Sequence, residues 1–187
     1  WMVRGDAEKI LRDLEIRGDV IKTIHRSMAE NGWRSDLSRL AIHDQLPSDP
    51  IIVRLASRGL HDELSGKAYA VVDGIDGRTH HLRFNDLEAT SDARPGAIVE
   101  LRQWTDRKGH GHAALTVRSD LELGQQVTAK GATWLDQQLV AREPTAHGTG
   151  FGREVEEALR QRAEHLVEEG LATRQGAQLA KLVRWYS

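Results

Sequence analysis

The 187-residue chain has no cysteine, no excess of one charge sign and no long apolar run. Without cysteine it can form no disulfide and no thiolate metal site, which suits a reducing compartment; the cytoplasm is the expected location. A formal net charge of −2 and a pI near 6.5 exclude the global basic field carried by many nucleic-acid binders, so any contact with nucleic acid has to be local. No stretch approaches the roughly 18 apolar residues of a membrane span, and the start lacks a signal-peptide pattern. Nucleophile elbows, Walker loops and dinucleotide fingerprints are also missing. The glycines from Gly148 to Gly152 follow a loop rather than a strand and read as a helix entry, with no lysine after them to meet a phosphate.

What is present is a hydrophobic fraction of 39%, enough for a core, and a change of period along the chain. From Asp6 to about Asn31, Ile10, Leu11 and Leu14, then Val20, Ile21, Ile24 and Met28, recur at helical spacing. Gly18 and Asp19 between the sets predict two helices, or one interrupted there, with Asp19 as N-cap and Asn31-Gly32 as the stop. Trp33 to Pro50 reads as a polar connector.

Five strands are then expected, in IIVRLASRGL, KAYAVV, THHLRF, AIVELRQW and HAALTVR. The clearest unit is Lys67 to Phe84, a hairpin about a DGIDG turn in which Gly74 and Gly77 are expected to supply positive φ. Tyr69 and Val71 share one face of the first arm; His80, Leu82 and Phe84 share one face of the second, with Thr79, His81 and Arg83 on the other. Five such strands predict a small closed barrel, OB-like or SH3-like.

After Asp120 helical periods return: Trp134, Leu135, Gln138 and Leu139 form one stripe, and Phe151, Val155, Leu159, Leu166 and Val167 another. REPTAHGTG between them is a loop. The second helix should end at Gly170, before LATRQGAQLAKLV as two arms about Gly176, the order of the back half of a winged helix; a third helix from Ala177 to Trp185 is the alternative. The expected class is α+β in three segments: 1–32 helical, 51–118 a five-stranded barrel, and 121–187 winged-helix-like. Trp1 and Met2 at one end and Trp185, Tyr186 and Ser187 at the other suggest a piece of a longer protein.

RGDVIKTIHRSM, LHDELSGKAYAVVDGIDGRTHHLRF, GATWLDQQLVAREP and GFGREVEEALRQRAEHLVEEGLA resemble the region of unknown function that follows the nuclease domain in proteobacterial relaxases of conjugative and mobilisable plasmids, from about Arg4 to Ala172. The resemblance implies part of a DNA-processing protein that nicks one strand and accompanies it to a secretion channel. It implies a nuclease N-terminal to this stretch, a further helical insertion in many members where RSDLELGQQVTAKGATWLD follows directly here, and a wing strand at Trp1, Met2 and Val3. It supplies no functional residues for this region.

His110-Gly111-His112 invites comparison with the metal-binding histidines of relaxases, but glycine replaces the central hydrophobe, the pair lies in a hairpin loop and no third ligand is evident; a solvated loop explains it. His80 and His81 point to opposite faces and cannot share an ion; His80 is expected to be semi-buried and hydrogen-bonded, and His81 to face solvent with Arg83. Turn chemistry accounts for Asp73 and Asp76, and solvated helix faces account for Glu154, Glu156, Glu157, Glu164, Glu168 and Glu169.

Residues 51–118 hold 10 Lys or Arg against 9 Asp or Glu, so placement rather than charge carries the argument. Arg54, Arg58, Lys67, Arg78, Arg83, Arg102, Arg107 and Lys108 lie on or beside the expected strands, with Trp104 and Tyr69 among them. Cations interleaved with aromatics can track a phosphate backbone and stack bases. The expectation is a non-catalytic accessory region without cofactor or metal, which holds nicked or single-stranded DNA or docks the nuclease on transfer-machinery proteins. The alternatives are a pure protein-interaction module and metal-dependent nicking through His110 and His112.

Overall fold

A computed structural model describes residues 3–33, 40–42, 49–141, 149–175 and 178–182. Trp1, Met2, most of the 33–50 connector, the loop residues 142–148 and the final 183–187 lie outside them.

Helix α1 (Val3–Glu30) runs unbroken through Gly18, and Asp19 caps nothing: it pairs with Lys22 on the exposed face. A mid-helix glycine costs only about 1 kcal/mol, and packing of the following turns outweighs it. Val3 opens this helix rather than closing a wing strand. The stop falls where expected: Gly32 takes φ +69, its N–H donates to Ala29 O, and Trp33 N–H donates to Met28 O, a Schellman closure.

The strands are β1 (Leu40–Ile42), β2 (Ile51–Asp62), β3 (Lys67–Gly74), β4 (Thr79–Phe84), β5 (Ile98–Thr105) and β6 (Gly111–Ser119), in one sheet of order β1-β4-β3-β2-β5-β6. All five expected strands are there, paired antiparallel with one another, but they do not close a barrel. β1, running parallel to β4, occupies the β4 edge that closure onto β6 would need. β6 is not paired with β4 in the ladder, though Asn85, just past β4, reaches it through Nδ2 to His112 Nδ1 at 3.0 Å.

The hairpin register matches the alternation, with Tyr69 opposite Arg83, Val71 opposite His81 and Ala70 opposite Leu82. Gly77 has φ +78, but Gly74 needs no positive φ; it is small because a Cβ there would meet Asp76 Oδ1 at 2.3 Å.

On one face of the sheet Val53, Leu55, Ala70, Val72, Leu82, Phe84, Val99 and Leu101 form the main core. α2 (Leu123–Val127), α3 (Trp134–Ala141) and α4 (Gly150–Glu168) join it through Leu123, Trp134, Leu135, Phe151 and Val155, so sheet and C-terminal helices share one core. The other face carries Ala56 and Val71 under Val20, Ile24 and Met28 of α1. A bulge in β2 at Ala56 takes its carbonyl out of the ladder, and Asn31 Nδ2 donates to it at 2.9 Å. Under this cover His81 is buried and stacks on Tyr69 at 5.6 Å, contrary to the solvent-facing expectation.

α3 begins in a capping box: Thr133 N–H donates to Asp136 Oδ2 and Asp136 N–H to Thr133 Oγ1. Asp136 also receives a bidentate pair from Arg162 of α4, at 2.8 and 3.0 Å. The same guanidinium donates to the carbonyls of Val127, Ala129 and Gly131, fastening the α2–α3 loop. After Gly170 come β7 (Ala172–Gln175) and β8 (Gln178–Leu182), a hairpin where the alternative was a third helix; Gly176 and residues 183–185 lie outside the described residues.

Candidate nucleic-acid interface

The nine expected contact residues differ in how exposed they are and in the partners they engage. Arg54 is buried, and its guanidinium lies 3.8 Å from the Trp33 ring centroid and 4.8 Å from that of Phe151. It donates to Asp73 Oδ2 at 2.9 Å and pairs with Glu154 in the first turn of α4. It therefore joins α1, the sheet and α4, and it is not a surface cation. Arg58 is half-buried and donates to Ser91 O at 2.5 Å and Thr90 Oγ1 at 3.1 Å, propping the turn after β4. Arg102 shares the Glu100 carboxylate with Arg118. Burial pushes that carboxyl up, but the hydrogen bonds from the two guanidiniums outweigh it and hold the acid below its ordinary range.

Lys67, Arg78, Arg83, Arg107, Lys108 and Trp104 are exposed. Arg78 lies in the β3–β4 turn, five residues and so roughly 16 Å along the strand from Arg83. Arg107 and Lys108 lie in the β5–β6 turn. Arg83 is the junction. One cleft of about 410 Å³, lined by Arg83, Gln103, Trp104 and His112, opens between the end of β4 and the β5–β6 hairpin. A second of about 400 Å³, with Lys67, His61 and Asn85, lies along the β3 start. A third of about 410 Å³, with Arg26, Tyr69 and His81, lies between α1 and the sheet. Arg83 lines all three.

The β5–β6 ladder sets Trp104 opposite His112, and the rings stack with centroids 5.6 Å apart and planes 17° apart. Asn85 Nδ2 donates to His112 Nδ1, which leaves the proton on Nε2 facing Asp106 Oδ2 at 3.2 Å. His110 Nδ1 stands 3.3 Å from the same oxygen. The His110 N–H, then the His112 ring, together with the Lys108 N–H, stabilise the Asp106 carboxylate and hold its pKa down to about 2. The two imidazoles thus hydrogen-bond a carboxylate. Among the described residues no group of three His, Asp or Glu is placed to hold a metal ion.

Asp106 and Asn85 did not stand out in the sequence, and His112 did so only beside His110 in a solvated hairpin loop. The pairing of Trp104 with His112 could be counted from the TDRKGHG turn; the approach of Asn85 depends on how the sheet rolls and has no local signal.

The fold is thus an α+β sheet protein with a cationic and aromatic margin around one arginine. The chain matches, over residues 1–108 and 102–184, the family described as protein of unknown function DUF3363, and it belongs to that family. No curated protein and no solved structure matches it. No helix among the described residues is long and apolar enough to cross a membrane.

Proposed function

We propose that this chain is a non-catalytic accessory region of a relaxase-type DNA-mobilisation protein, working in the cytoplasm and holding single-stranded DNA along the margin centred on Arg83. The carrying observation is that one exposed arginine lines three clefts whose other walls include Lys67, Trp104, Tyr69 and Arg26. Cations at strand spacing beside exposed rings suit a flexible phosphate backbone with unstacked bases. The resemblance of four segments to relaxase C-terminal regions is what suggests the DNA-processing context. In this reading α3, α4 and the β7–β8 hairpin are a winged-helix-like unit used for packing: α4 spends Arg162 and Glu154 on internal pairs and turns further glutamates outward, which disfavours its entry into a major groove.

The test is fluorescence anisotropy of labelled single-stranded and duplex DNA at two salt concentrations. Salt-sensitive binding that prefers the single strand is expected. Absence of binding at low salt would overturn the reading.

A second reading is docking of the nuclease or transfer-machinery proteins. It is favoured by the apolar ridge on the first half of α1, where Ile10, Leu11 and Leu14 are 58%, 61% and 57% exposed. Pull-down by a relaxase nuclease domain that disappears on Leu11→Glu/Leu14→Glu substitution, with no DNA binding by either form, would favour it.

A further inference from the structure

From the geometry at the β5–β6 hairpin we infer a stacking subsite for one unpaired nucleobase on the Trp104 ring, with Arg83 positioned for the adjoining phosphate. The inference rests on the proposed single-strand-holding role and adds to it the place and manner in which a base is held.

Three features of the cleft carry it. First, Trp104 is 51% exposed yet its ring plane is set: His112 stacks on it, and His112 is itself held by Asn85 at 3.0 Å and Asp106 at 3.2 Å. A fixed, half-exposed ring loses little conformational freedom when a second ring covers it, which is the preorganisation that favours stacking. Second, the cleft of about 410 Å³ falls within the roughly 300–1,000 Å³ of ligand sites and offers distinct chemistries on its walls. The Gln103 amide can donate to and accept from a base edge, and Arg83 brings a planar cation that suits phosphate. Third, the nearby acid is turned inward. Asp106 accepts from the N–H groups of Lys108 and His110 at 2.8 and 2.9 Å and faces both imidazoles, so its lone pairs are occupied within the loop.

The ligand class is therefore an unpaired base in a single-stranded nucleic acid. Nothing in this arrangement recognises a particular base, since every base offers a π-face.

The test uses the full chain and two fluorescent oligonucleotides of equal length, one of thymidines and one of abasic sites with the same phosphates, with a matched uridine oligonucleotide as the RNA arm. The expected result is that the wild type binds the base-bearing strand more tightly than the abasic one. Trp104→Ala should weaken base-bearing binding roughly 5- to 150-fold, the range one stacked base commands, and leave abasic binding unchanged. Trp104→Phe, which keeps a ring, should recover much of the loss, and circular dichroism checks that both variants fold. If base-bearing and abasic strands bind alike and Trp104→Ala changes neither, the stacking subsite is overturned while the strand-holding role stands. If neither strand binds at low salt, the strand-holding role fails and the subsite with it.

Discussion

Arg54 on β2 and Asp73 on β3 face each other across the ladder with Nη2 and Oδ2 2.9 Å apart, and each side chain is only 9% exposed. Glu154 reaches the same guanidinium from α4, and Trp33 and Phe151 cover its faces. One side chain thus ties the end of α1, two central strands and the start of α4. Removing one partner of a buried pair strands the other, at about 3–5 kcal/mol. Arg54→Ala should destabilise by that order in urea unfolding, whereas Arg102→Ala, which removes an exposed guanidinium and leaves Arg118 on Glu100, should stay within about 1 kcal/mol. Equal effects would mean that Arg54 is not the tie described.

Arg162 poses the same question within the C-terminal helices. It is 1% exposed and donates to Asp136 and three loop carbonyls. Arg162→Met should cost about 3–5 kcal/mol because Asp136 and the carbonyls lose their donor. Arg162→Lys should recover only part of this, since an ammonium cannot reproduce the planar fork. Denaturant midpoints of the two variants check it.

Gly77 and Gly109 separate backbone strain from steric contact. Both have positive φ, +78 and +83, but a Cβ at Gly77 would stand 2.3 Å from Thr149 Oγ1 and 3.0 Å from Thr149 O, while nothing lies within 4 Å at Gly109. Gly109→Ala should cost about 1–2 kcal/mol from the left-handed backbone alone. Gly77→Ala should cost distinctly more, because the β3–β4 turn must part from the α4 start. Thermal unfolding of the pair decides the matter.

Two aspartates should titrate in opposite directions from the ordinary 3.8. Burial pushes the Asp73 carboxyl up, with Arg54 opposing, and hydrogen bonds from the loop hold Asp106 down to about 2. The stability linked to protonated Asp73 is therefore full below 3.8 and lost as pH rises through its raised pKa. That linked to Asp106 is full above 3.8 and lost as pH falls towards about 2. Carboxyl-carbon NMR titration should show Asp73 protonating first and Asp106 last as the solution is acidified.

Much of this was legible in the chain. The Lys67–Phe84 hairpin, its facing residues and all five antiparallel strands follow from alternation and turn residues. Barrel closure does not follow, because β1 has three residues, too few to show a period, and it takes the edge that closure requires. The burial of His81 was hidden for a related reason: alternation tells which residues share a face but not that α1 lies over it. Arg54 and Arg162 look like surface cations by type, and only the carboxylates brought from distant positions, Asp73, Glu154 and Asp136, make them interior. For the proposed interface, strand phase singles out Arg83, Lys67 and Trp104 as candidates, whereas Asn85 and Asp106 come beside them through the roll of the sheet and the hairpin turn.

The central claim is that Arg83 contacts the phosphate backbone of a bound single strand. The most direct measurement is the slope of log affinity against log salt for a single-stranded oligonucleotide, with the wild type and Arg83→Ala compared. Loss of one phosphate contact should make the variant bind more weakly at low salt and reduce the magnitude of the slope by about 0.7. An unchanged slope and affinity in Arg83→Ala would contradict the account.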